Sequence, residues 1–145
     1  MSTTHTDPRL NGYEKWEGFD PFEEQSGPYF FKQQDDGAYR CAFIAEARHM
    51  NGQGSMHGGA MMTFADYAMF VLARPAIENI PAVTVTCNSE FTSAASIGEF
   101  VEAAGEIVHE TGSMVFVRGK IFVGERTLLN FSGVLKKLRP RTASA

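Results

Sequence analysis

Two periods run along this chain, and the change from one to the other sets its architecture. Between residues 83 and 92, Val83, Val85, Cys87, Ser89 and Phe91 alternate with Thr84, Thr86, Asn88, Glu90 and Thr92, a period of two that predicts a strand. The turn signal Ser96-Ile97-Gly98-Glu99 follows, then residues 100–109 with Val101, Ala103 and Ile107 on one face. Thr111-Gly112 reverses the chain into residues 113–123, where Val115, Val117, Ile121 and Val123 share a side. Gly124-Glu125 reverses it again into a long strand over residues 127–138. Strands joined by turns this short pair antiparallel, so the second half reads as a meander. Upstream, residues 29–34 and 38–47 flank Asp35-Asp36-Gly37, a hairpin signal.

Between hairpin and meander lies a helix-like run, residues 57–73, with Met61, Met62, Phe64, Met69, Phe70 and Leu72 distributed around it. Pro75 is expected to stop it, because the residue before a proline is disfavoured in the helical region. A helix apolar on nearly every side must be enclosed. One long helix wrapped by a curved antiparallel sheet meets both requirements, so the expected class is α+β with a hotdog architecture. Residues 1–27 are polar, with Trp16, Phe19 and Phe22 spaced three apart. They are expected to form a loose tail and a short helix that packs aromatics on the body. The body is then residues 28–140, and 141–145 form a closing tail.

Composition narrows the functions open to such a domain. At 145 residues the chain is one domain, large enough to bury about 70% of its unfolded surface. Thirteen Lys and Arg against 17 Asp and Glu give a net charge of −4, which argues against bulk attraction to nucleic acid. Cys41 and Cys87 have no metal-type spacing and fall in strand-like segments, as free core thiols in a reducing compartment would. The N-terminal residues lack the apolar core of a signal peptide, and residues 59–73 are too short and too interrupted by Asp66 to span a membrane. The expected location is cytoplasmic.

Candidate chemistry concentrates at the start of the predicted helix. Asn51-Gly52-Gln53-Gly54-Ser55-Met56-His57-Gly58-Gly59 allows sharp turns and close backbone approach, and a helix beginning there aims free N–H groups at that loop. Asp66 is the single carboxylate of the apolar run, and burying it is costly without a partner or a task. Backbone donors and one isolated carboxylate form a minimal kit for acyl transfer. Bland readings compete with this one. His57 alone reads as a helix-start histidine bonded to nearby backbone, and Asp66 as an Asp satisfied by Thr63 or Tyr67. Gly52-x-Gly54-x-x-x-Gly58 lacks the parallel crossover strand of a dinucleotide-binding turn. Gly54-Ser55 lacks the spacing of a nucleophile elbow, and His49, His57 and Asp66 fit no closed metal set, so no metal is expected. Lys136-Lys137 and Arg139-Arg141 read as a solvated basic run or as contacts to the phosphates of a long anionic ligand.

Taken together, residues 29–138 resemble the hotdog-fold acyl-CoA thioesterases, in particular the phenylacetate-degradation (PaaI-like) branch. The resemblance rests on His57-Gly58-Gly59 with Asp66 eight positions after Gly58. It extends to Val83-Thr84-Val85-Thr86-Cys87-Asn88 with Gly98-Glu99 beyond. It implies an acyl-CoA substrate, no cofactor, and assembly as homodimers or dimers of dimers. Asp66 would be the catalytic carboxylate, acting as general base or nucleophile. The Gly58 N–H would polarise the thioester carbonyl, His57 would fix the loop or touch the thioester, and Asn51 would orient the thioester or the water. Thr84 would assist that water, although Thr86 is expected to share its orientation. Gly59, Thr63 and Thr86 are the remaining expected substrate contacts.

Spacing adds an argument of its own. Gly58 and Asp66 are eight helical residues apart, a rise of ~12 Å. A base and an oxyanion donor must each lie within ~3–3.5 Å of the reacting atoms of one carbonyl. Asp66 is therefore expected to serve the helix start of a second copy, across a two-fold axis. The rival from another class is a non-catalytic acyl-CoA-binding or regulatory hotdog module. A hotdog dehydratase or hydratase is disfavoured by the His-Gly-Gly and Asp66 arrangement.

Overall fold

The structure is a computed structural model that describes residues 5–139. Its elements are α1 (Pro21–Ser26), β1 (Phe30–Gln33), β2 (Tyr39–Ile44), α2 (Gly58–Leu72), α3 (Arg74–Ile77), β3 (Ala82–Phe91), β4 (Phe100–Glu110), β5 (Met114–Val123) and β6 (Arg126–Lys137). All strands join one antiparallel sheet in the order β1-β2-β4-β5-β6-β3. The meander β4-β5-β6 forms its centre, and β3 closes one edge because it pairs with β6 alone. The sheet curves around α2, which packs on β2, β4, β5, β6 and β3. This is the α+β hotdog architecture that the two periods predict.

The core lies between α2 and the sheet. Phe64, Met69 and Val71 from the helix meet Phe43, Val101, Ile121, Leu129 and Leu135 from the strands, all essentially inaccessible. Gly133 on β6 makes room for the helix, because a Cβ there would overlap the Met69 side chain and the Thr86 carbonyl.

Three expectations change. α2 is not wholly enclosed: Gly59, Met62, Thr63, Asp66 and Phe70 keep exposure along one stripe at helical spacing. Pro75 does not simply end the helical course, since α2 stops at Leu72 and Pro75 lies in the first turn of α3, where a missing N–H costs nothing. The N-terminal part is more firmly docked than a loose tail, yet two of the three evenly spaced aromatics, Phe19 and Phe22, stay out. Leu10 and Tyr13 are buried with Phe30 and Ala42, and Trp16 packs on Phe31, whereas Phe19 and Phe22 are 76% and 62% exposed. The closing tail, with Arg141, lies outside the described residues. Cys41 is buried, Cys87 partly buried, and both are free thiols.

Candidate active site

The loop ahead of α2 is held by its own polar groups. Asn51 Oδ1 accepts the backbone N–H of Gln53 at 2.9 Å and of Ser55 at 3.1 Å, an Asx-type turn, and Gly54 takes a φ of 81° that suits glycine. His57 is the N-cap, its Nδ1 accepting the Gly59 N–H at 2.8 Å. The His57 carbonyl accepts from Ala60 at 2.9 Å and Met61 at 3.2 Å, and the His57 N–H donates to the His49 carbonyl at 2.8 Å. One donor of the first turn is left over. The Gly58 N–H has no partner among the described residues, and it points out of the helix start as an oxyanion donor would.

Two turns along, Asp66 lies in the exposed stripe of α2. Its Oδ1 accepts the Thr84 hydroxyl of β3 at 2.6 Å, so the carboxylate is oriented from the neighbouring strand. The helical neighbours do not supply this bond. Thr63 donates instead to the Gly59 carbonyl one turn back, at 2.9 Å, and the Tyr67 hydroxyl is buried without a hydrogen-bond partner among the described residues. Burial pushes the Tyr67 phenol up, and burial together with the Asp66 charge pushes the Cys87 thiol up.

α2 and β3 run side by side in opposite directions. The Phe91 ring lies so close to Gly58 that a Cβ on Gly58 would be 3.2 Å from it, Ser89 donates to the Met62 sulfur at 2.7 Å, and Thr84 meets Asp66. Thr84 and Thr86 do not share an orientation. A bulge between them pairs Thr84 with the buried Leu135 but Thr86 with its neighbour Val134. Directly paired residues share a face, so Thr84 faces the helix and Thr86 the outer surface. The structure thus brings Asp66 to Thr84, and His57 and Thr63 to Gly59. It keeps Gly58 and Asp66 at opposite ends of β3. Among the described residues no group of three or more His, Cys, Asp or Glu is arranged to hold a metal.

One acidic residue near this site has no motif to announce it. Glu23 of α1 lines, with Asp66, a cavity of about 480 Å³ between the N-terminal segment and α2. Asp20, Pro21 and Glu23 form a legible helix start. Nothing in the sequence places that helix over Asp66.

Residues 53–130, more than half of the chain, match the model of the thioesterase superfamily. The chain belongs to the thioesterase superfamily. A relative of this superfamily member is the inferred esterase PA0474 of Pseudomonas aeruginosa, 30% identical over 128 residues that cover 81% of this chain and 93% of the relative. Two solved structures share its hotdog fold. The phenylacetic acid degradation protein PaaI from Thermus thermophilus, solved as a point mutant, superposes with a TM-score of 0.71 at 24% identity, covering 82% of this chain and 100% of that one. BH2602 from Bacillus halodurans, solved with CoA, gives a TM-score of 0.69 at 24% identity, covering 77% and 74%. The superfamily match begins at residue 53, so α1 and Glu23 lie outside it.

Proposed function

We propose that this protein hydrolyses acyl-CoA thioesters to free acid and CoA, in sites shared between two copies of the chain. The observation that carries this reading is the antiparallel course of α2 along an open edge strand. Asp66 sits at one end of β3, at Thr84, and the unpartnered Gly58 N–H at the other, at Phe91. β3 is a long edge, and Val83 and Val85 on it are 43% and 50% exposed, a combination that invites another strand. A second β3 added antiparallel about a two-fold axis near mid-strand sets the Thr84 end of each copy beside the Phe91 end of the other. Each Asp66 then meets Gly58 of the partner subunit.

In such a site Asp66, oriented by Thr84, takes a proton from water as its oxygen attacks the thioester carbonyl. The Gly58 N–H of the facing chain stabilises the oxyanion, and collapse expels CoA as its thiolate, which is then protonated. Asn51 has its carbonyl oxygen committed to the loop, which leaves its amide N–H₂ to orient the thioester. Met62 and Phe70, on the exposed stripe, give an apolar acyl group a surface. CoA binding by BH2602 supports a CoA ester as substrate. Lys136 and Arg139 line a surface cavity near the Thr84 end of β3 and supply charge for its phosphates, whereas Lys137 is paired with Glu110 at 2.7 Å.

A free-thiol assay across acyl-CoAs tests the reading. The wild type releases CoA, and Asp66→Asn loses about 10²–10⁴ of the rate, the usual effect of removing a general base. Binding of acyl-CoA with no thiol released from any of them would favour the non-catalytic module instead.

A further inference from the structure

The N-terminal segment roofs the exposed stripe of α2 at Asp66. Two cavities flank that roof. The larger, about 480 Å³, is lined by Trp16, Tyr29 and Phe70, and the smaller, about 350 Å³, by Phe22, Met62 and Thr63. Asp20, Glu23 and Asp66 line both. Asp20 is already engaged as the N-cap of α1, accepting the Glu23 N–H at 3.0 Å. Glu23 and Asp66 are thus two carboxyl groups on one pair of cavities, from elements that only the tertiary fold brings together.

The roof is fastened, so this neighbourhood is built into the fold. The Arg48 guanidinium donates to the carbonyls of Gln25 and Gly27, and Lys15 pairs with Glu24 at 2.7 Å. His49 is buried and its Nδ1 accepts the Glu46 N–H, which makes Nε2 the protonated nitrogen that donates to the Ser26 carbonyl at 2.6 Å. The carbonyl of the same His49 accepts the His57 N–H, so one residue ties both the roof and the start of α2.

Charge around Glu23 is unbalanced. Lys15, the basic residue that lines the larger cavity with Glu23, is paired with Glu24, and the other cations of this region are also paired, Arg48 with Glu46 and Arg74 with Glu17 at 2.9 Å. The remaining titratable groups facing the roof are Asp20 on α1, Asp66 and Tyr67 on α2, Tyr29 before β1, and His49 beneath it. Burial, helped by the charges of Asp20 and Asp66, pushes the Glu23 carboxyl up to about 7.

We propose that Glu23 is a positioning residue of this site that acts through Asp66: its negative charge favours transfer of the water proton to the Asp66 carboxylate. This rests on the hydrolytic reading above. In the attack step the water O–H bond breaks, the oxygen–carbonyl bond forms, and the proton goes to Asp66. Glu23 exchanges protons only with solvent. Protonation of Asp66 relieves the repulsion between two adjacent negative charges, which lowers the barrier when Glu23 is ionised. The oxyanion that forms on the thioester oxygen is stabilised by the N–H of Gly58 of the partner subunit. The same extra charge weakens binding of the anionic CoA, so kcat and KM rise together.

Two measurements test this. In wild type kcat should rise about three- to tenfold through pH 7, with KM rising alongside. The isosteric Glu23→Gln variant, its fold checked by circular dichroism and melting, should stay at the low-pH plateau. A Glu23→Gln enzyme that keeps the step and the wild-type kcat at pH 8 overturns the proposal. The second readout needs no activity: carboxyl ¹³C NMR of Glu23 should titrate near pH 7 in wild type and lower in Asp66→Asn. A midpoint unmoved by that substitution overturns the coupling, whereas absence of thiol release by the wild type counts against the hydrolytic reading instead.

Discussion

Asp66 owes its orientation to a hydroxyl from another element. Thr84→Val keeps the shape and removes the 2.6 Å bond, and a loosened base costs on the order of 10²-fold in kcat. Thr84→Ser should retain most of the activity, and steady-state kinetics on one acyl-CoA compares the two. Glu23 has a different signature, visible in stability. Its carboxyl is raised from the usual 4.5 to about 7, so the folded state holds its proton more tightly than the unfolded chain does. That contribution is complete below about pH 4.5 and lost as pH rises through 7. Glu23→Gln should therefore melt above wild type at pH 8 and lose that advantage at pH 4.5. A calorimetric melting series over this range would show equal pH slopes if Glu23 were unperturbed. The residues of the site differ in how legible they are. His57, Gly58 and Asp66 stand out because glycines and a lone carboxylate are unusual around an apolar helix. The Asp66–Thr84 bond joins residues 18 apart and depends on a strand bulge, and Glu23 depends on where a short helix docks.

Helix and strands follow from their periods, and the exceptions have local causes. The alternation of β3 predicts one face for Thr84 and Thr86, but the extra residue at the bulge turns Thr84 inward and leaves Thr86 outside. Such a bulge has no glycine or proline to mark it here. The exposed stripe of α2 is hidden for another reason: Met62 and Phe70 are as apolar as the enclosed face, so composition alone cannot separate a core-facing from a ligand-facing side. Where α2 crosses β6, Gly133 leaves no room for a side chain. Gly133→Ala would drive a methyl into Met69 and the Thr86 carbonyl, costing about 1–3 kcal/mol in denaturant unfolding. Because Thr86 adjoins the bulge, the same change should also lower kcat by displacing Thr84.

At the scale of the molecule, one subunit carries both parts of the proposed chemistry but holds them apart. α2 separates Gly58 from Asp66 by ~12 Å, and the open edge of β3 offers a route to a second copy. Gly58→Pro is a selective way to disable the donor half. It removes the N–H at the first helical position, whose backbone suits proline after the extended His57, and the Phe91 ring has to yield by a few tenths of an ångström to the new Cβ, so the fold of the variant is checked by circular dichroism. The most direct test of the shared site mixes Asp66→Asn subunits with Gly58→Pro subunits, each inactive as a homodimer. Half the dimers in a randomised mixture are mixed, each with one intact site, so activity should return to about a quarter of wild type. No recovery, with subunit exchange demonstrated by mass spectrometry, would contradict a site shared between subunits.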